Sequence, residues 1–255
     1  MRKPAVGCSL FASRFSLWNR LHNSACSRTD MISSVTRQAA RGKFITFEGL
    51  DGCGKSTQLE KLADALRRQG VEVVTTREPG GTEIGERIRA VLLSSRTAGL
   101  DPHAEMALMF ASRAQLIAEV ILPALEAGKW VVCDRFTDST EAYQGGGRQL
   151  GSGPVLRLHE VLCRGVWPDL TILMDSDVSS SVSRARRRNK AAEQDENRFE
   201  KESGAFFTRV HEGFLEIARR EPQRVALVDA RPPIEIVHRE IVRVMRERLG
   251  AVASG

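Results

Sequence analysis

No run of apolar residues in this 255-residue sequence approaches the roughly 18 that a helix needs to span a bilayer. The sequence also has no internal repeat. Hydrophobic residues make up 42% of the chain and charged residues 27%, which is typical of globular proteins. These features argue against an integral membrane protein and a repeat architecture, and they predict one soluble domain.

Cysteines are few and widely spaced. The five, Cys8, Cys26, Cys53, Cys133 and Cys163, form no C-x-x-C pair and have no histidine cluster beside them. Their number is odd, which does not suit a complete disulfide framework. We therefore expect reduced thiols in a cytosolic protein, without a structural zinc site.

A net charge of +6 suggests at first a nucleic-acid-binding protein. Most of the excess lies at one end, because residues 1–43 hold eight basic residues and one acid, Asp30. The remaining residues carry 30 basic and 31 acidic side chains. The folded part of the chain is therefore not basic overall, which weakens the nucleic-acid interpretation.

The segment 1–41 is rich in Arg and Ser and has no periodic apolar pattern. Such a composition offers little for a core to bury, so we predict a disordered N-terminal extension. Two explanations for it stay open. Either translation starts at Met31 and the start has been misassigned, or the segment is a transit-like peptide.

Short β-branched runs alternate with longer helical patterns from Lys43 onward, which is typical of a parallel sheet covered by helices. Five strands are predicted, at residues 44–48, 71–76, 130–134, 170–175 and 224–228. Helices are predicted at residues 55–69, 82–93, 103–126, 154–163, 179–188, 199–221 and 233–249. The sequence thus predicts a three-layer α/β/α fold with a five-stranded parallel sheet.

Polar residues that can take part in chemistry follow four of the five predicted strands. They are Glu48 and Asp51, Arg77 and Glu78, Asp134 and Arg135, and Asp175. Because ligands of an open parallel sheet bind beyond the carboxyl ends of its strands, we expect these groups to meet in one crevice.

The segment after the first predicted strand matches the P-loop pattern G-x-x-x-x-G-K-[ST] and directly precedes a predicted helix. Backbone N–H groups of such a loop and the start of its helix bind phosphate oxygens. The predicted ATP-binding residues are Gly49, Leu50, Asp51, Gly52, Cys53, Gly54, Lys55, Ser56 and Thr57. Lys55 can reach the β- and γ-phosphates, and the hydroxyl of Ser56 can help hold Mg²⁺.

A P-loop alone does not separate kinases from GTPases, ATPase motors and nucleotide-binding modules. The guanine-reading pattern N-K-x-D of GTPases is missing, since the Asn-Lys pair at residues 189–190 continues with two alanines. A kinase for a small anionic acceptor needs a second phosphate site built from arginines. Arg77, Arg113 and Arg135 are the candidates.

Several motifs, in the same order along the chain, resemble those of thymidylate kinases. They are FEGLDGCGKSTQ at residues 47–58, REPGGT at 77–82, LMFASRAQ at 108–115, CDRFTDSTEAYQGGGR at 133–148 and PDLTILMD at 168–175. The resemblance implies a P-loop NTPase fold in residues 42–255, with a helical lid at about residues 184–200. It also implies transfer of the γ-phosphoryl group of ATP to dTMP, giving dTDP for dTTP synthesis. Mg²⁺, a homodimer and a cytoplasmic protein that binds neither nucleic acid nor membranes are implied as well.

The resemblance further implies how the acceptor is bound. Asp51 is implied to lie near its sugar and the metal, and Arg77 and Arg135 to contact its phosphate. Phe110 is implied to stack on thymine while Arg113 hydrogen-bonds the base. Taken from the residues alone, Phe110 sits within the apolar run AEMALMFA, where an aromatic side chain more often belongs to the core.

The motif at residues 133–148 supplies the remaining acceptor contacts. Tyr143 and Gln144 are implied to lie against the sugar and the base, together with Ser139, and the tyrosine of the family disfavours a 2′-hydroxyl. The implied catalytic residues are Lys55, Asp51, Arg135 and arginines of the lid.

The lid region carries four closely spaced arginines, Arg184, Arg186, Arg187 and Arg188. Cations that arrive as a site closes stabilise the charge on a transferring phosphoryl group. Thymidylate kinases place a catalytic arginine either in the P-loop or in the lid. Because Gly52 occupies the P-loop position, the bacterial-like type is implied, and Arg184 and Arg188 are preferred.

The end of the lid departs from the family pattern Asp-Arg-x-Glu, since this chain reads NRFE at residues 197–200. An asparagine cannot replace a carboxylate as a charged metal partner. The predicted metal ligands are Ser56, Asp51 and Glu200; Asp195 could substitute in place of Glu200, or the lid carboxylate is not needed.

Three other functions stay open on the sequence. The chain could phosphorylate another monophosphate such as dUMP or CMP, or bind nucleotide as a module without turnover. Its basic N-terminal segment could also tether it to nucleic acid or membrane.

Overall fold

The computed structural model describes residues 41–97, 99–191 and 198–250. Its strands are β1 (Phe44–Glu48), β2 (Val73–Arg77), β3 (Trp130–Asp134), β4 (Leu170–Asp175) and β5 (Val225–Asp229). Its helices are α1 (Lys55–Arg67), α2 (Glu83–Leu93), α3 (Pro102–Leu116), α4 (Leu122–Glu126), α5 (Thr137–Thr140), α6 (Ser152–Leu162), α7 (Val178–Ala191), α8 (Gly204–Arg220) and α9 (Ile234–Leu249). The predicted extension lies outside the described residues apart from Arg41, and so do residues 192–197 of the predicted lid.

The five strands form one parallel sheet in the order β2-β3-β1-β4-β5. β1 lies at its centre, with Phe47 in register with Asp134 of β3 and Ile172 of β4. β2 and β3 lie on one side of β1, and β4 and β5 lie on the other. This change of direction at β1 opens a crevice at the carboxyl ends of the central strands. The predicted α/β fold with a five-stranded parallel sheet is confirmed.

Both faces of the sheet are buried, as the near-continuous apolar strands require. On one face Ile45 and Phe47 of β1 pack with Leu62 of α1 and Met245 of α9. On the other face Phe44 packs with residues of α3 and α6. This alternation gives the three-layer arrangement and fixes the ends of the central strands rigidly.

The stretch Pro102–Glu126 is, among the described residues, long and apolar enough to cross a bilayer by length and composition alone. Here it is a core helix, because Leu116, Ile117 and Ile121 are fully buried against the sheet. The predicted helix at residues 103–126 is interrupted by a π-helical turn, Ile117–Ile121. Pro123 explains the turn, since proline lacks the N–H that would continue regular α-helical bonding.

Other boundaries shift for local reasons. β2 and β5 begin two residues and one residue later than predicted. The predicted helix at residues 199–221 is a short 3₁₀ turn, Phe199–Lys201, followed by α8, because the hydroxyl of Ser203 accepts a hydrogen bond from the backbone N–H of Phe206 and caps a new helix.

Besides the short 3₁₀ turn Ser95–Thr97, one longer helical region among the described residues was not predicted. It comprises α5 and the π-helical stretch Glu141–Gly147. Its glycines argue against a helix from sequence alone, yet they allow close packing on α8. A Cβ atom on Gly147 would lie 2.6 Å from the ring of Phe206, so only glycine fits there.

Candidate active site

The carboxyl ends of β1, β2 and β3 open into a cleft of about 660 Å³, the central cleft. It is lined by Asp51, Gly52, Gly54, Lys55, Ser56, Thr57, Arg77, Glu78, Pro79, Arg89, Leu93, Met109, Arg113, Asp134, Arg135, Phe136, Ser139, Thr140, Tyr143, Gln144, Arg184, Arg188, Asn189 and Phe199. Most of the polar groups predicted to converge are therefore brought together.

Two of the predicted groups lie elsewhere. Asp175 does not line the central cleft, and its Oδ1 lies 2.7 Å from Nε2 of His211 on α8. Glu48 is fully buried beneath the cleft, where it accepts hydrogen bonds from the backbone N–H of Phe136 and the hydroxyl of Ser139. Burial and the charge of Asp138 raise the pKa of Glu48 to about 8.

The loop after β1 has the backbone that a P-loop needs. Gly49, Gly52 and Gly54 have φ angles of 132°, 83° and 101°. A Cβ atom on Gly52 would lie 2.3 Å from the carbonyl oxygen of Ser181 on α7, so glycine also permits that close approach. Nζ of Lys55 donates to the carbonyl oxygens of Gly49 and Leu50 at 3.2 and 2.9 Å.

Other predicted P-loop residues support the loop from behind. Leu50 and Cys53 are buried, and Gly49 does not line the cleft but accepts hydrogen bonds from Lys55 and Arg135 through its carbonyl oxygen. Their contribution is to hold the loop in shape against the sheet.

Ser56 at the start of α1 meets Asp134 at the end of β3. The serine hydroxyl donates to Oδ2 of Asp134 at 2.9 Å. Both oxygens line the central cleft, and hydroxyl and carboxylate oxygens are ligands that Mg²⁺ prefers. The donor set therefore fits a hard cation next to the P-loop.

Arg135 connects the P-loop to the opposite wall of the cleft. Its backbone is left-handed, with φ 73°. Nη1 donates to the carbonyl oxygen of Gly49 at 3.0 Å and to the hydroxyl of Ser139 at 2.7 Å. Nη2 donates to Oδ1 of Asp51 at 2.8 Å and to the hydroxyl of Tyr143 at 3.3 Å.

This pairing sets the charge state of Asp51. Burial works against its ionisation, but the charges of Arg135 and Lys55 outweigh burial and hold the pKa of Asp51 well below its usual range. Burial likewise raises the pKa of Tyr143 well above its usual value, so the phenol stays protonated. At neutral pH the cleft thus holds a carboxylate, an arginine and a neutral phenol in contact.

The far end of the cleft contains a buried ion pair. Nε of Arg113 donates to Oε2 of Glu78 at 2.7 Å, and Nη2 donates to the carbonyl oxygen of Phe136 and the hydroxyl of Thr140. Burial raises the pKa of Glu78 to about 7, although Arg113 opposes that shift. Arg113 and Arg77 both line the cleft, and Arg77 pairs with Glu86 at 3.1 Å.

The prediction that Phe110 faces a ligand disagrees with its position. Its ring is fully buried in the core and does not line the cleft, although the Arg113 guanidinium lies 4.7 Å from the ring centroid. Met109 lines the cleft instead. Neighbouring positions on a helix point about 100° apart, so the shift by one residue exchanges a core side chain for a cleft side chain.

Helix α7 brings two of the four lid arginines to the P-loop. Nε of Arg184 donates to the carbonyl oxygen of Gly52 at 2.7 Å, and both Arg184 and Arg188 line the central cleft. Arg186 and Arg187 line a separate groove between α7 and α8. The side chain of Glu200, predicted as a metal ligand, lies outside the described residues.

Comparisons with known proteins agree with this geometry. A family model for thymidylate kinase matches residues 47–241. The chain is 49% identical over 197 residues to the thymidylate kinase of Alkalilimnicola ehrlichii, covering 77% of this chain and 89% of that protein. It is 48% identical over 206 residues to that of Thiobacillus denitrificans, covering 81% and 97%. This chain belongs to the thymidylate kinase family.

A solved structure extends the comparison. The crystal structure of thymidylate kinase from Ehrlichia chaffeensis matches with a TM-score of 0.64 at 35% identity, covering 80% of this chain and 99% of that chain. The alignments thus span nearly the whole of the relatives, and the fold of this thymidylate kinase family member is that of its bacterial relatives.

Sequence reasoning missed several residues of this thymidylate kinase site. The link between Asp134 and Ser56 could have been found, because Asp134 ends the strand next to β1. Met109 and Phe110 lie four and three residues before Arg113 on one helix, and both spacings share its face, so the sequence did not choose between them. Arg198 and Glu105 are buried beside the cleft. Glu105 interrupts an apolar run and Arg198 belongs to the segment NRFE, but an arginine in a charged stretch is ordinarily solvent-exposed and nothing in the sequence pairs the two.

Proposed function

We propose that this protein transfers the γ-phosphoryl group of ATP to dTMP, giving dTDP and ADP. The observation that carries the proposal is the single cleft in which a P-loop faces the arginines of the opposite wall. Two phosphate sites facing each other are what a phosphoryl transfer between nucleotides requires. Membership of the thymidylate kinase family supports thymidylate as the acceptor.

The chemistry is positioning plus electrostatic stabilisation. A phosphate oxygen of dTMP attacks the γ-phosphorus of ATP as the bond to the β–γ bridging oxygen breaks, and ADP leaves with that oxygen. No covalent enzyme intermediate is needed. Lys55, Arg184 and Arg188 are proposed to stabilise the negative charge that develops on the transferring group. The hydrogen bond from Nε of Arg184 to the carbonyl oxygen of Gly52 supports this role, because it brings α7 against the P-loop.

Magnesium is the proposed cofactor, held by Ser56 and Asp134 with ATP phosphates and water as further ligands. When bound, it neutralises charge on the phosphates. Within the described residues there is no group of three or more His, Cys, Asp and Glu side chains that could hold a metal ion. Asp51 is paired with Arg135, so its proposed contribution is to the acceptor side of the site.

The acceptor is proposed to bind with its phosphate at Arg77 and Arg135 and its base at Arg113. Tyr143, Gln144 and Ser139 then lie along the nucleoside. Met109, rather than Phe110, provides the apolar surface beside the base in this arrangement. Tyr143, whose phenol stays neutral, is proposed to disfavour a 2′-hydroxyl on the acceptor.

A cytoplasmic homodimer without nucleic-acid or membrane partners is also proposed. Half-exposed Ile84 and Val91 lie seven residues apart on one side of α2, a pattern that suits burial against a second copy.

The proposal is tested by measuring ADP release from Mg-ATP with dTMP, dUMP, CMP, GMP or AMP as acceptor. A large rate with dTMP is expected. A preference for another acceptor would retain the kinase chemistry but refute the base contacts. A folded protein that binds ATP and shows no acceptor-dependent ADP release would instead be a nucleotide-binding module.

A further inference from the structure

Arg198 is buried and forms an ion pair with a fully buried carboxylate. Its Nη1 donates to Oε2 of Glu105 at 2.6 Å, and its Nε donates to the carbonyl oxygen of Leu92 at 2.6 Å. A second guanidinium, that of Arg148, donates to both oxygens of the same carboxylate. A buried ion pair of this kind is weak evidence for stability, so its position needs another explanation.

The carboxylate that Arg198 holds also orients a cleft residue. Nε2 of Gln144 donates to Oε1 of Glu105 at 2.7 Å. Since an ionised carboxylate only accepts hydrogen bonds, the amide of Gln144 must present its NH₂ group to Glu105. Among residues 41–97, 99–191 and 198–250 the side-chain Oε1 of Gln144 accepts no hydrogen bond, and Gln144 lines the central cleft.

Arg198 is also linked to Tyr143 through the ring of Phe199. Its guanidinium lies 4.4 Å from the ring centroid of Phe199, and that ring meets Tyr143 edge-on at 5.8 Å. Phe206 and Phe214 approach the same tyrosine at 6.1 and 6.2 Å. Tyr143 is thus enclosed by three aromatic rings, and Phe199 is the one of them that lines the central cleft.

We propose that Arg198 is a positioning residue for the nucleoside half of the central cleft, holding Tyr143 through Phe199 and Gln144 through Glu105. The inference rests on the proposed function, because it assumes that these two side chains contact the acceptor. On this proposal Arg198 and Phe199, which follow α7 in the sequence, help determine which sugar the cleft accepts. A chain that loses the contact keeps its P-loop and Arg135 but holds the tyrosine loosely.

The test compares Arg198→Met with a matched control, Arg220→Met. Arg220 pairs through both terminal nitrogens with the buried Glu141, in the same helical segment as Tyr143, but neither residue lines the central cleft. The measured quantity is the ratio of kcat/KM for dTMP to kcat/KM for its 2′-hydroxyl analogue, ribothymidine 5′-monophosphate. We expect Arg198→Met to lower this ratio by at least about fivefold and Arg220→Met to change it by less than about twofold.

Phe199→Leu keeps the Arg198–Glu105 ion pair and serves if Arg198→Met does not fold. The same fall in selectivity is expected. Tyr143 is the only tyrosine in the sequence, so biosynthetic 3-fluorotyrosine gives a ¹⁹F signal from this ring alone. We expect the ¹⁹F chemical shift to move toward the value of the unfolded protein in Phe199→Leu and to stay unchanged in Arg220→Met.

The outcomes separate this inference from the proposed function. Wild-type protein without dTMP-dependent ADP release refutes the proposed function. Wild-type protein that is active and selective, alongside Phe199→Leu with unchanged selectivity and an unchanged ¹⁹F signal, overturns the inference alone.

Discussion

Replacing Arg135 should separate catalysis from stability. Two charge-assisted hydrogen bonds to a phosphate contribute about 1.5–3 kcal/mol each, and part of that is recovered by water in a truncated variant. A net loss of about 3–4 kcal/mol lowers kcat/KM for dTMP by about 10²–10³-fold in Arg135→Ala. Arg135 meets the P-loop at the carbonyl oxygen of Gly49 and the carboxylate of Asp51, but the loop glycines and Lys55 are unchanged in the variant, so the KM for ATP should change little.

The backbone of Arg135 adds a second, independent expectation. At φ 73° an alanine is strained and a glycine is not. The free energy of unfolding of Arg135→Gly should therefore exceed that of Arg135→Ala by about 1 kcal/mol, seen as a higher urea midpoint. Both variants should lose activity.

The assay is ADP release at saturating ATP with varied dTMP, followed by urea unfolding monitored by tryptophan fluorescence. Arg231→Ala is the control, because Arg231 pairs with Asp229 and does not line the central cleft. Unchanged kcat/KM for dTMP in Arg135→Ala would refute its place in the acceptor site. Equal stability of the Ala and Gly variants would refute the left-handed backbone.

Three further changes test other parts of the site. Asp134→Asn should raise the Mg²⁺ concentration for half-maximal rate by about tenfold, seen in a magnesium titration, because an amide is a weaker ligand beside Ser56. Arg188→Ala should lower kcat by about 10²-fold while Arg187→Ala, on the α7–α8 groove, changes it by less than about threefold; equal effects would refute the assignment. Since Glu48 has a folded pKa raised to about 8, the folded state binds the extra proton, so the free energy of unfolding should fall as pH rises from 5 to 8. Glu48 contributes a fall on the order of 3 kcal/mol, which Glu48→Gln should remove in urea unfolding at each pH, while the smaller fall from the raised pKa of Glu78 remains.

The sequence predicted those features that local patterns determine. Apolar runs and the turn at the P-loop defined the central strands, and β1, β3 and β4 begin and end where expected. The P-loop was found because three glycines, a lysine and a serine at fixed spacing have few other uses.

Tertiary packing decided what the sequence left open. Met109 and Phe110 of the run AEMALMFA both lie within a helical turn of Arg113, so periodicity cannot show which of them faces a ligand. The helix over residues 137–147 was missed because Gly147 reads as a helix breaker until its contact with Phe206 is known. Arg198 was missed because only the fold brings Glu105 to it from 93 residues away.

With Arg135 as the proposed ligand of the acceptor phosphate, its pairing with Asp51 would keep that site ready before the acceptor arrives. In this structure Nη1 and Nη2 of Arg135 are held by Gly49, Ser139, Asp51 and Tyr143, so the guanidinium already has a fixed position. A phosphate that replaces the carboxylate of Asp51 exchanges one anion for another, and little side-chain entropy is lost on binding. Asp51 stays ionised because Arg135 and Lys55 hold its pKa low, so it remains available to restore the pair when product leaves. This exchange takes place beside the P-loop because β3 lies next to β1 in the sheet. Asp134, the last residue of β3, contacts Ser56, and the next residue, Arg135, contacts Asp51.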